Sequence, residues 1–226
     1  MKTGKQFWVD KLGEGWTKQL KDLLKSNYGD KLINFLSTEY ALHKVAPDYQ
    51  DIFKPFKLCP WESLRIVILD SEVWVNNIAN GLAYGSKGEA FLYNADAGII
   101  QTCIEKQYHD GKLYMEFDFT LESWAQQGIL LINRNPTVRT NLPNSHQKQW
   151  NKFTSAVLNT INEYAPGTIF VLWGKENQSL KPYIKKHNYV LEFNHPKDYL
   201  GKNWDCPNFK EIDEILYNLN GEKIKW

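Results

Sequence analysis

The chain has 226 residues, with 27 basic against 26 acidic side chains for a net charge of +1, and is 42% hydrophobic and 14% aromatic. Nine Trp, 12 Tyr and 11 Phe can fill a large core, which excludes intrinsic disorder, a collagen-like repeat and a disulfide-stapled miniprotein. Balanced charge also excludes a polybasic coating protein, while leaving room for a local basic rim able to meet phosphates.

The amino-terminal stretch from Met1 to Trp8 has no apolar run of secretory type, and no later segment approaches the roughly 20 apolar residues a bilayer span needs. Cys59, Cys103 and Cys206 are odd in number, far apart and without a CxxC pair, so neither a zinc site nor a disulfide framework is readable. The expectation is a reducing compartment, hence a cytosolic protein, or a nuclear one where the host has a nucleus.

No repeat, low-complexity tract or linker divides the chain, so one domain over 1–226 is expected, with residues 1–60 a helical portion packing on a sheet. Trp16 to Phe35 reads as helical, and Tyr40 to Pro60 as irregular. Four β-rich runs follow: Arg65 to Leu69, Gly128 to Ile132, Thr168 to Trp173 and Tyr189 to Phe193. They are continuously apolar rather than alternating, which suits strands buried on both faces. Helical periodicity lies between and after them, in Gln149 to Tyr164, Ser179 to Lys186 and Asn208 to Leu219. This grammar predicts an α/β fold, three-layer α/β/α, around a central four-stranded, parallel, twisted sheet.

In an open parallel sheet, ligands bind outside the carboxyl ends of the strands. After the first run stand Asp70-Ser71-Glu72-Val73-Trp74, and after the second Asn133-Arg134-Asn135-Pro136. The third is followed by Gly174-Lys175-Glu176-Asn177, and the fourth by Asn194-His195-Pro196-Lys197. Any one of these residues could be a helix cap or a strand terminator. Together they bring carboxylates, an amide, a lysine and a histidine to one edge, a set able to serve several reactions. No GxSxG elbow, P-loop, GxGxxG or HExxH is present, which disfavours an α/β hydrolase, a nucleotide triphosphatase and a zinc peptidase.

The run Val67-Ile68-Leu69-Asp70-Ser71-Glu72-Val73-Trp74, followed by Gly81-Leu82-Ala83-Tyr84, resembles the first motif of family 1 uracil-DNA glycosylases. In that family a strand ends in Gly-Gln-Asp-Pro-Tyr-His and is followed by Gly-Leu-Ala-Phe. Leu121 to Asn133, with Trp124-Ala125 and Gln127-Gly128-Ile129-Leu130-Leu131-Ile132-Asn133, is similar to the family's next segment, and Thr137-Val138-Arg139 continues it. Asn144-Ser145-His146, Trp150, Phe153, Val171-Leu172-Trp173-Gly174, His195-Pro196, Cys206 and Trp226 extend the resemblance in order from about Trp61 onward.

The resemblance implies an enzyme that flips a pyrimidine out of single- or double-stranded DNA and hydrolyses its N-glycosidic bond. It implies that Tyr84 stacks on the base, that Asn133 reads its edge and that His195 donates to O2 as charge reaches the departing base. A carboxylate would stabilise the sugar cation and orient water. A gapless match sets the family's Asp against Glu72, its Tyr against Trp74 and its His against Val75, and Asp70 remains a rival to Glu72. Ser71 and Trp74 fall in the wall beside the 5-position of the base, rebuilt here over Ser71 to Asn80. Lys197 stands where the family has serine after His-Pro, and Leu200 or Tyr199 would wedge into the vacated stack while Arg134 approaches phosphates. Neither a metal nor an organic cofactor is implied, and a monomer is expected. Two further readings stay open: a rebuilt pocket admitting 5-substituted pyrimidines such as the hydroxymethylated or glucosylated bases of phage DNA, and an inactive relative acting as a DNA-binding or replication-scaffold protein.

Overall fold

The computed structural model describes residues 4–73, 78–88, 94–112 and 116–226. Four strands, β2 (Ile66–Glu72), β3 (Ile129–Asn135), β5 (Ile169–Trp173) and β6 (Tyr189–Phe193), form one sheet in the order β3-β2-β5-β6 with every pairing parallel. A separate two-stranded antiparallel pair joins β1 (Val45–Ala46) to β4 (Val138–Arg139).

Alternation along the central strands sorts their side chains onto two faces. Ile66, Ile68, Ile129, Leu131, Ile169, Val171 and Trp173 face one way, against buried residues of α6 (Ala95–Tyr108), α7 (Glu122–Gln126) and α10 (Asn208–Asn220). Val67, Leu69, Leu130, Ile132, Phe170 and Leu172 face the other, against α8 (Gln147–Tyr164) and the amino-terminal helices α1 (Gly4–Leu12), α2 (Glu14–Gln19), α3 (Lys21–Leu24), α4 (Asn27–Leu42) and α5 (Lys54–Leu58). The result is the three-layer α/β/α arrangement expected from the sequence. Each fully buried large side chain, such as Trp16 or Phe153, contributes roughly 1.5–3 kcal/mol through burial. Trp16 also donates its indole N–H to the Cys59 carbonyl at 2.8 Å, so its polar edge is satisfied inside the core.

Several elements differ from expectation. The helical stretch over Trp16 to Phe35 is divided among three helices, the last of them capped by the Ser26 hydroxyl, which accepts from Tyr28 N–H at 3.3 Å. The stretch read as irregular contains β1 and α5. Ser179 to Lys186 is not an α-helix: Pro182, with no N–H to give, sits in a single 3₁₀ turn over Lys181–Tyr183, and the short helix α9 (Lys175–Gln178) precedes it. α6 has no counterpart among the elements expected from the sequence. β2 and β3 each run on past their apolar residues to include Asp70, Ser71 and Glu72, and Asn133, Arg134 and Asn135.

Candidate active site

Because the strands extend this far, the polar residues at their carboxyl ends are held by the sheet itself rather than by loops. Asp70 is the register partner of Asn133, and Glu72 of Asn135. Strand alternation sends the Asp70 and Asn133 side chains to the face occupied by Tyr84.

Tyr84 reaches that face through a tight approach of the preceding chain. Gly81 has φ +92°, and a Cβ there would lie 2.0 Å from the Asp51 carbonyl oxygen, so only glycine fits. Tyr84 itself takes a left-handed conformation, φ 63°, fixed by Asn94, whose side-chain amide donates to the Tyr84 carbonyl at 2.8 Å. Asn94 is also the cap of α6, accepting from Ala97 N–H, so the ring and the start of α6 are positioned together. The Tyr84 hydroxyl donates to the Leu69 carbonyl at 3.2 Å, and its ring packs edge-on against Trp173 with centroids 5.3 Å apart.

His195 follows β6 and opens the turn Pro196–Tyr199. Gly174, at φ +85°, lets it come close, since a Cβ there would sit 3.1 Å from the His195 Cβ. The Lys197 backbone N–H donates to His195 Nδ1 at 3.1 Å, which leaves the ring proton on Nε2. Nε2 lies 3.1 Å from Asp70 Oδ1 and 3.3 Å from the Tyr84 hydroxyl. Asp70 Oδ1 also accepts from Ser71 N–H at 2.7 Å, so two donors converge on one carboxylate oxygen.

Asn133 is 3% exposed, and its Oδ1 has no hydrogen-bond partner. A buried amide oxygen left unsatisfied costs roughly 1–3 kcal/mol and calls for an explanation. Glu72 is half-buried and accepts from Asn144 N–H at 2.7 Å. Burial, outweighing that hydrogen bond, raises its carboxyl above the ordinary range. Asp96, in the first turn of α6, is a carboxyl that sequence reasoning missed. Burial pushes it up to about 6, with the Asp70 charge adding to the rise while His195 and Lys197 oppose it.

The remaining expected residues lie around the rim. The Ser71 hydroxyl donates to Glu176 Oε2 at 2.8 Å, and Arg134 reaches the Glu176 carbonyl at 3.3 Å and Oε1 at 3.4 Å. Glu176 thus ties the ends of β2 and β3 to α9, a bridge no motif announced. Lys197 is exposed. Tyr199 is half-buried, its hydroxyl accepting from Asn194 Nδ2 at 2.8 Å, whereas Leu200 is 70% exposed. Trp74 lies outside the described residues. Among the described residues no three His, Cys, Asp or Glu side chains converge in a metal-binding group, and no helix is long and apolar enough to cross a membrane.

No family model matches the chain. Among curated proteins it is 32% identical over 224 residues to the uracil-DNA glycosylase of Fusobacterium nucleatum, covering 96% of this chain and 97% of the relative. It is 35% identical over 211 residues to that of Mycoplasmopsis pulmonis, covering 91% and 93%. Its fold is that of the mimivirus uracil-DNA glycosylase crystal structure, with a TM-score of 0.79 at 19% identity over 100% of this chain and 94% of the other. The wild-type UNG of Nitratifractor salsuginis is also similar, with a TM-score of 0.63 at 16% identity over 96% and 94%. With these likenesses, the parallel sheet and the polar groups gathered at its carboxyl edge define a monofunctional DNA glycosylase. The chain belongs to the uracil-DNA glycosylase family.

Proposed function

We propose that the protein excises uracil from DNA by taking the base out of the stack, seating it against Tyr84 and reading its edge with Asn133. The buried Asn133 Oδ1, which has no hydrogen-bond partner, carries this reading, since an unsatisfied buried acceptor is costly unless a ligand pairs with it. The relatives' names support uracil as the base.

Depth along β2 separates the two carboxylates. Asp70 lies deeper, beside the groups that would hold the base, while Glu72 is two residues nearer the strand end, where the sugar of an extruded nucleotide remains. Glu72 therefore orients water toward C1′ and accepts its proton. The C1′–N1 bond breaks, its electron pair leaves with the base, and His195 Nε2–H stabilises the charge developing on O2. The base then takes up a proton and an abasic site remains. Around the mouth, Lys197 and Arg134 meet phosphates, Arg134 exchanging its long contact with Glu176 for one to DNA. Leu200 fills the emptied stack, because Tyr199 is held inward by Asn194.

A second reading is favoured by the sequence of Ser71 to Asn80, in which Ser71, Trp74 and Val75 stand in place of the family motif's Gln, Tyr and His. It assigns a 5-substituted pyrimidine as substrate, as in hydroxymethylated or glucosylated phage DNA, and defence against such phages as the setting. Mass spectrometry of bases released from uracil-containing DNA and, in parallel, from modified phage DNA decides between them. Uracil release that is lost in His195→Ala and Glu72→Gln supports the first reading, and release of only a 5-substituted base supports the second. No release from any DNA, with DNA binding unchanged by His195→Ala, would mean an inactive DNA-binding relative.

A further inference from the structure

β2 is held unequally along its two edges. Its pairing with β3 runs to Glu72, opposite Asn135, but its pairing with β5 ends at Leu69, opposite Leu172. Asp70, Ser71 and Glu72 therefore have ladder support on the β3 side only. α9 stands on the other side. The Asn177 side-chain amide, 1% exposed, donates to the Leu69 carbonyl at 3.2 Å and to the Trp173 carbonyl at 3.1 Å, joining β2 to β5 where their ladder stops. One residue earlier, Glu176 Oε2 accepts from the Ser71 hydroxyl at 2.8 Å. Strand alternation turns Ser71 to the face opposite Asp70 and Glu72, so this bond holds β2 from behind without entering the pocket.

We propose that Glu176 is a positioning residue for the glycosylase reaction, holding the Ser71 hydroxyl so that the unsupported edge of β2 is fixed and Glu72 is aimed at the water beside C1′. The inference rests on the assignment of Glu72 to water activation. Ser71 directly precedes Glu72, so a rotation of its backbone swings the next side chain, and a displacement of about 1 Å at a reacting group costs about 100-fold in rate. Glu176 has a second effect of opposite sign. An anion at the mouth of a site for DNA opposes association, and Arg134, 3.4 Å away, offsets that charge only through a long contact. Removing Glu176 should therefore weaken turnover and strengthen DNA binding together. The same charge bears on Glu72, whose carboxyl is raised chiefly by burial, with Asp70 on its own strand and Glu176 on α9 adding to the rise and the Asn144 N–H opposing it.

Steady-state base release by the full chain from uracil-containing DNA, and in parallel from hydroxymethylated or glucosylated phage DNA, tests this. Glu176→Ala and Ser71→Ala are each expected to lower kcat by about 10- to 100-fold, and the double variant no further, since both cut one bond. KM should fall in Glu176→Ala and hold in Ser71→Ala. Glu176→Gln, whose Oε1 still accepts from the hydroxyl, is expected to restore kcat to within about threefold of the wild type. Its acidic limb should move to lower pH, because a charge that opposes ionisation of Glu72 is gone. Wild-type kcat in either alanine variant overturns the proposal, as does a double variant whose loss is the product of the single losses, or a glutamine variant as slow as Glu176→Ala. Absence of base release by the wild type from any DNA sinks the glycosylase reading, and the hold on the strand end is then decided without turnover, by the carbon-13 resonance of the Glu72 carboxyl at a pH where it is fully ionised. A resonance displaced alike in Ser71→Ala and Glu176→Ala but not in Glu176→Gln sustains the hold, and one indifferent to both alanine variants overturns it.

Discussion

Asp70 and Asn133 are register partners on adjacent parallel strands, yet only Asp70 is engaged: its Oδ1 takes two hydrogen bonds while Asn133 Oδ1 takes none. On the proposed reading, this difference leaves Asn133 as the group that awaits the base. Asn133→Ala is expected to reduce base release by at least about 100-fold, in line with a site whose buried polar groups reject a substrate they cannot pair with. Removing the orphaned amide also removes its desolvation cost, so the melting temperature should hold or rise despite the small cavity. A variant that melts well below the wild type while still binding and releasing uracil normally would show that Asn133 is structural.

Leu200 stands 70% exposed on a turn whose neighbour Tyr199 is tied to Asn194. An exposed leucine carries little folding energy, so Leu200→Ala should change stability by no more than about 0.5 kcal/mol. Its effect belongs to the duplex, where a wedge must replace the extruded base. Base release from double-stranded DNA should fall about tenfold or more, while release from single strands stays within about twofold. Equal losses on both substrates would remove the wedge assignment.

The sheet was legible because its strands are continuous runs of Ile, Val, Leu and Phe, and β6 begins and ends where its apolar pattern does. β2 and β3 outrun their apolar residues because a parallel ladder bonds backbone groups whatever the side chain, so Asp70 and Asn133 were read as flanking strands to which they belong. α6 escaped notice although Ala97, Ile100, Cys103 and Ile104 lie on one face, because Gly98 and other small residues dilute the pattern. Asn133 and His195 could be placed by strand-end position alone. Asp96 could not, since its approach to Asp70 and His195 depends on how α6 docks against the turn Pro196–Tyr199. The one local hint was Asn94, a cap followed by an acid in the first turn.

Behind the site, Glu39 of α4 accepts both forks of Arg139, at 2.7 and 2.8 Å, and lies 3.1 Å from His146 Nε2. His146 Nδ1 is 2.8 Å from the Thr137 hydroxyl, which also accepts from Trp150 Nε1 at 2.7 Å, so the cluster ties an amino-terminal helix to the segment following β3. The Arg139 hydrogen bonds hold the Glu39 carboxyl down at about 2. A carboxyl lowered on folding stabilises the protein fully above its unfolded value, near 4.5, and that stability is lost as pH falls from there toward 2. Glu39→Gln should therefore cost about 2 kcal/mol at pH 7, discounted for the partly exposed guanidinium, and almost nothing near pH 2. Denaturant unfolding across that range checks it; a pH-independent difference would mean the loss comes from packing rather than charge.

Asp96 has the opposite sign. Its carboxyl, raised by burial to about 6, keeps its proton in the folded chain over a range where the unfolded chain has already released it. Below about pH 4 both states are protonated and the group contributes no pH dependence. Between about 4 and 6 the folded state binds more protons than the unfolded one, so stability falls as pH rises, and above about 6 the full cost of an ionised, buried Asp96 persists. Asp96→Asn keeps the shape and removes the charge. Its melting temperature should match the wild type at pH 4, pull ahead through pH 6 and stay ahead by a constant margin at pH 8. Thermal melts at these three values suffice, and an asparagine variant less stable than the wild type at pH 8 would show that the attraction of His195 and Lys197 for the Asp96 charge outweighs its burial.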